Sequence, residues 1–117
     1  MDMDFIRDYC LSFPGTTEQV QWENSLLFKV GGKMFLIYNL GNLSNNRISL
    51  KSDPEKFDEL TEDEFIIPAP YLAKNKWITI QDECRLKAAR LKELIRTSYE
   101  LVFNKLPKRV KSEILNV

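Results

Sequence analysis

The sequence predicts an α+β fold of two layers, in which an antiparallel meander sheet packs against N- and C-terminal helices. Three observations predict it. Apolar residues recur at helical spacing near both ends of the chain, two β-forming runs meet across Gly31-Gly32, and a third run then alternates polar and apolar residues. With 117 residues, 44% of them hydrophobic and 11% aromatic, the chain is expected to bury one core and to form one domain over residues 1–117.

Phe5, Ile6, Tyr9, Cys10 and Phe13 fall on one face of a helix over residues 3–13, which Asp2 or Asp4 can start and Pro14-Gly15 stops. A polar turn follows. Leu26 to Val30 and Lys33 to Tyr38 then make a hairpin, because two consecutive glycines permit the positive φ angles of a tight primed turn. A β-branched residue at Gly32 should therefore disrupt folding. Residues 41–46 read as a loop and Arg47 to Lys51 as a half-buried strand that continues the meander. Ser52 or Asp53 can cap a helix with Pro54 at its first position, acids in its first turn, and Phe57 and Leu60 facing inward. Pro68 and Pro70 remove backbone donors and bar residues 67–71 from a central strand, whereas Trp77 to Ile80 is rich in β-formers. Asp82 is expected to cap the last long helix, whose apolar stripe (Leu86, Ala89, Leu94, Ile95, Tyr99, Leu101, Val102) runs on to Leu106, where Pro107 ends it.

Composition excludes several classes of function. Lys and Arg number 17 against 17 Asp and Glu, so the chain is neither a polycation nor an acidic disordered tail. The charges are nevertheless in blocks: seven acids against Lys56 between Asp53 and Glu64, and nine bases against Glu93 and Glu100 between Arg85 and Lys111. There is no histidine, which removes the usual general acid–base group and the usual ligand for Zn, Cu or Ni. Cys10 and Cys84 match no CxxC spacing and read as free thiols of a cytoplasmic protein. Neither is a candidate nucleophile, since Cys10 falls on the apolar side of its helix and Cys84 follows Asp82-Glu83, whose charge disfavours a thiolate. Gly31-Gly32 lies inside a hairpin and lacks the strand-to-helix context of a phosphate loop, so no cofactor is expected. The acidic run offers hard oxygen ligands but reads as a solvated helix face, and no metal is expected. No basic segment followed by an apolar run opens the chain, and its apolar stretches fall far short of the ~20 residues of a membrane helix.

Several blocks, in order and over nearly the whole chain, resemble one family. They are Cys10-Leu11-Ser12-Phe13-Pro14-Gly15, Phe28-Lys29-Val30-Gly31-Gly32-Lys33-Met34-Phe35, Ser49-Leu50-Lys51-Ser52-Asp53-Pro54, Pro68-Ala69-Pro70-Tyr71-Leu72, Lys76-Trp77 and Ser98-Tyr99-Glu100-Leu101-Val102. They are similar to the MmcQ/YjbR family of small bacterial proteins, which have a frataxin-like α+β fold and are described as DNA-binding. The resemblance implies that fold and a nucleic-acid role. Family members commonly carry a histidine just before the tryptophan, where this chain has Lys76. In frataxin-like proteins the iron-holding acids lie on the first helix and adjoining strand, where residues 3–13 here offer only Asp4 and Asp8.

If Phe28, Val30, Ile48 and Leu50 point into the core, alternation turns Lys29, Arg47 and Lys51 to the opposite face as a basic rib, with Lys33 beside the hairpin turn. Trp77 shares a face with Thr79 and is expected to be exposed beside Lys74 and Lys76, with Tyr71 as a second aromatic. Rings among lysines can stack bases while the cations contact phosphates. The opposing interpretation makes Trp77 and Tyr71 packing residues at the sheet edge. The expected function is a non-catalytic, monomeric binding module that takes DNA through Lys29, Lys33, Arg47, Lys51, Tyr71, Lys74, Lys76 and Trp77. The alternative is a protein-interaction domain acting through its exposed sheet face or edge.

Overall fold

The computed structural model describes residues 2–22 and 24–116. The Asp2 carboxylate accepts the Asp4 amide at 2.9 Å and so opens helix α1, Met3–Leu11, which ends two residues earlier than its apolar spacing predicts because Ser12 closes it. Strands β1 (Thr16–Gln21), β2 (Ser25–Val30), β3 (Lys33–Asn39) and β4 (Asn46–Lys51) follow as an antiparallel meander. After them come α2 (Phe57–Leu60), β5 (Ile66–Pro68), a single 3₁₀ turn (Ala73–Asn75), β6 (Trp77–Gln81), α3 (Ala88–Asn104) and α4 (Lys108–Leu115). In the sheet the order is β1-β2-β3-β4-β6-β5, so β6 enters between β4 and the short edge strand β5. Pro68 sits on that edge, where a missing donor costs no ladder bond.

Helix α3 packs along β2, β3 and β4, and α1 packs against β1, and among the described residues no α-helix packs as extensively on the second face of the sheet. The core lies between sheet and helices and includes Phe28, Val30, Leu36, Ile48, Leu50, Ile78 and Ile80 from the strands and Leu94, Ile95 and Val102 from α3. Phe28 faces Leu36 while Lys29 faces Met34, so β3 holds one extra residue, Phe35, at a bulge. That extra residue lets Phe35 and Leu36 both enter the core. The buried Ser98 hydroxyl donates to the Phe35 carbonyl and accepts the Lys51 amide at 2.9 Å, tying α3 to two neighbouring strands.

Four expectations need correction. The stretch read as a polar turn contains β1, an edge strand with five polar residues in six and hence no apolar alternation to reveal it. The helix expected from Pro54 is confined to Phe57–Leu60, because Asp53 accepts the Glu55 amide at 3.0 Å in a local turn and Lys56 takes the cap position. Asp82 does not cap α3, which starts only at Ala88; its carboxylate is held instead by Arg47 at 2.8 and 2.9 Å. Pro107 ends α3 but immediately opens α4, whose Val110 and Ile114 pack against the core.

Candidate phosphate-binding cleft

The register places Lys51 opposite Trp77 and Ser49 opposite Thr79, so Lys29, Arg47, Lys51 and Trp77 do share the strand face opposite the core, although Lys51 and Trp77, at the strand ends, also border the C-terminal end of α3. What the strands do not provide is a continuous basic rib. Arg47 and Lys51 stand about 13 Å apart along β4 at the usual strand rise, and Arg47 is already committed. Its guanidinium makes two bonds to Asp82 and donates to the carbonyls of Asn39 and Gly41 at 2.6 and 3.0 Å, leaving the side chain only 14% exposed. This arginine is a clamp between β4, the end of β6 and the loop after β3, and a phosphate would have to displace a carboxylate to reach it.

Trp77 is also corrected: it is 5% exposed, a buried residue and not a platform. The chain doubles back beside β6, with the Ala69 amide donating to the Trp77 carbonyl and the Trp77 amide to the Leu72 carbonyl, and encloses the start of the strand. Lys76 takes a left-handed conformation (φ 63°) at the end of the 3₁₀ turn, and its ammonium lies 4.9 Å from the centre of the Phe57 ring. It belongs to a packing contact with α2. Lys74 stays exposed, and Tyr71, with φ 67°, is fully exposed. Tyr71 overhangs a shallow groove of about 440 Å³ on the free face of the sheet, beside Ser49, Thr79 and Arg47.

Three of the expected residues, Lys33, Lys51 and Trp77, meet at the end of the sheet next to the Gly31-Gly32 turn. They line a cleft of about 280 Å³ whose remaining wall is Met34, Val102, Leu106, Pro107 and a residue the sequence did not single out, Lys105. Each piece has a local cause. Lys33 starts β3 just past the turn, Lys51 ends β4, and Lys105 closes α3 before Pro107 turns the chain into α4. Among the described residues no carboxylate lines the cleft, and none of the three lysines forms an ion pair with another of them. Partial burial, with Lys105 beside it, pushes the Lys51 ammonium below the usual lysine value, so the fold holds this charge at a cost. Lys29, opposite Met34, continues the cationic surface onto the free face.

The thiols stand apart from this site. Burial pushes Cys10 up to about 12, and burial together with Asp63 raises Cys84, so both remain protonated near neutrality. The acidic run is dispersed: among the described residues no three His, Cys, Asp or Glu side chains group so as to hold a metal ion. No helix among the described residues is long and apolar enough to cross a membrane.

The Arg47–Asp82 clamp makes a prediction of its own. Hydrogen bonds from Arg47 hold the Asp82 carboxyl below its usual range. An acid depressed in this way contributes stability above its unfolded pKa of about 3.9, and the contribution is lost as pH falls through the folded value. Asp82→Asn should therefore be less stable than the parent at pH 7, with the gap closing below about pH 4. Urea unfolding at the two pH values checks this; a gap that stays constant would mean that the charge is not the source.

Fold and site together define a class: a two-layer α+β domain with a partly apolar cleft at one end of its sheet, whose rim lysines form no ion pair with another described residue. The YjbR family model matches residues 11–101, and the chain belongs to the YjbR family. It is 35% identical over 86 residues to the uncharacterised protein YbdF of Escherichia coli O157:H7, covering 71% of this chain and 68% of that protein. The crystal structure of Deinococcus radiodurans protein DR2400, a DUF419 domain, superposes with a TM-score of 0.81 at 30% identity, covering 95% of this chain and 86% of that one. A Pseudomonas syringae protein of known structure gives a TM-score of 0.69 at 25% identity, over 87% and 99% of the two chains.

Proposed function

We propose that this chain is a non-catalytic nucleic-acid-binding module that holds the phosphate backbone at the lysine-rimmed end of its sheet. The observation that carries this reading is the convergence of Lys33, Lys51 and Lys105 from three separate elements on a cleft in whose wall no described residue places a carboxylate. Crowded cations without counter-ions favour a polyanion, which neutralises them and releases its own condensed counter-ions. Lys29 on the adjoining face and Lys74 with the exposed Tyr71 ring lie at further points along such a backbone. Arg47, Lys76 and Trp77 keep structural roles.

Anisotropy titration of duplex and single-stranded DNA over a range of salt tests the proposal. Affinity should fall linearly on logarithmic axes, and neutralising the three lysines (Lys33→Gln, Lys51→Met, Lys105→Gln) should flatten the duplex slope by about 0.9 for each phosphate that the protein no longer neutralises. Unchanged affinity and slope would end the proposal.

A protein partner is the second reading, and the β1 edge favours it. This six-residue edge strand carries neither proline nor lysine, and its own Val20 and the Trp22 that follows it are 62% and 63% exposed. One variant separates the readings: Val20→Lys, which guards the edge, should leave DNA binding unaltered if the lysine cleft is the site.

A further inference from the structure

We propose that the cleft between the Gly31-Gly32 turn and the end of α3 is a binding pocket for a small organic anion with one flat apolar ring, of the class of an aryl monophosphate. The ring would sit against the apolar part of the wall, whose more exposed members are Met34 and Pro107, and the anionic group among Lys33, Lys51 and Lys105. The inference goes beyond the nucleic-acid reading, because the pocket can take such a ligand whether or not a polymer crosses the same lysines.

Shape, lining and charge each contribute. At about 280 Å³ the cleft lies just below the ~300–1,000 Å³ typical of sites for drug-sized molecules, a size that suits one ring and its charged group but not a dinucleotide. Its wall divides chemically into an apolar part, Met34, Trp77, Val102, Leu106 and Pro107, and a cationic part of three lysines. A purely electrostatic surface site would not need the first part, and a core defect would not have the second. Pro107 also opens α4, so the positive end of a helix adds to the three ammoniums at the rim. Lys51 is the most informative member. Its charged form is disfavoured by burial and by Lys105, and an anion seated between them would remove that penalty.

Trp77 provides the readout. Trp22 is the other of the chain's two tryptophans and is exposed, so Trp22→Phe leaves Trp77 as the sole indole fluorophore. Titrated with phenyl phosphate, this protein should show a saturable change in Trp77 emission and a rise in melting temperature that tracks occupancy. Inorganic phosphate and benzyl alcohol, each supplying half of the recognition, should bind at least about tenfold more weakly. Lys51→Met, with its fold checked by circular dichroism and melting, should weaken phenyl phosphate by about tenfold or more. Absence of saturation, inorganic phosphate binding as well as phenyl phosphate, or an unaltered affinity in folded Lys51→Met would each overturn the pocket. The two proposals fail separately: saturation by phenyl phosphate without DNA binding removes only the nucleic-acid reading, and DNA binding without saturation removes only the pocket.

Discussion

Trp77→Ala should lower the unfolding free energy by about 3–5 kcal/mol, the range for deleting a large buried aromatic side chain. The residue is 5% exposed, and its backbone is bonded on both sides to the segment that folds back beside β6. Truncation would extend the neighbouring cleft into the protein instead of allowing collapse, because Lys51 opposite cannot enter an apolar void without losing its hydration. For a domain of this size the loss corresponds to a melting temperature lower by roughly 10–20 °C. Trp77→Phe should recover part of it. An exposed stacking residue would cost under about 0.5 kcal/mol on truncation, so an alanine variant melting within a few degrees of the parent would show that the indole is not buried.

Gly31→Ala should be more damaging than Gly32→Ala, although the two glycines are adjacent in one turn. Both have positive φ, 58° and 79°, so an L side chain at either position costs about 1–2 kcal/mol in backbone strain. Beyond that they differ. A Cβ on Gly31 would stand 2.6 and 2.8 Å from the two terminal methyl carbons of Leu106, whereas one on Gly32 meets no atom within 4 Å. Leu106 is a buried core residue, and overpacking it adds about 1–3 kcal/mol. The expected totals are about 2–5 kcal/mol at Gly31 and about 1–2 kcal/mol at Gly32, measurable as the two midpoints in denaturant. Equal midpoints would mean that Leu106 can step aside. Leu106 is also a wall of the lysine cleft, so Gly31→Ala should weaken phenyl phosphate binding while Gly32→Ala leaves it unchanged.

The turn shows how far local pattern reaches. Two glycines between apolar runs predict positive φ and a hairpin, and both are found. That Gly31 is the more constrained of the two is invisible locally, since its neighbour Leu106 comes from the far end of the chain. The same division separates β2, β4 and β6, whose composition or alternation announces them, from β1, whose six residues acquire their strand conformation by pairing with β2. Local propensity for an edge strand is weak, and tertiary pairing supplies what the residues lack.

By itself the sequence determined the α+β class, the hairpin, the core face of the central strands and the absence of a histidine-based site, because each follows from residue type and from periods of 2 or 3.6 along the chain. The face on which Lys29, Arg47, Lys51 and Trp77 lie was legible for the same reason. What covers that face was not. Only the tertiary structure decided that Trp77 is enclosed, that Arg47 is held by Asp82 from 35 residues away, and that Lys105 joins Lys33 and Lys51 around one cleft. Alternation specifies the direction of a side chain from its own strand. Its neighbours, and therefore whether a charge is free to bind or already neutralised, depend on segments brought together only when α3 packs across the sheet.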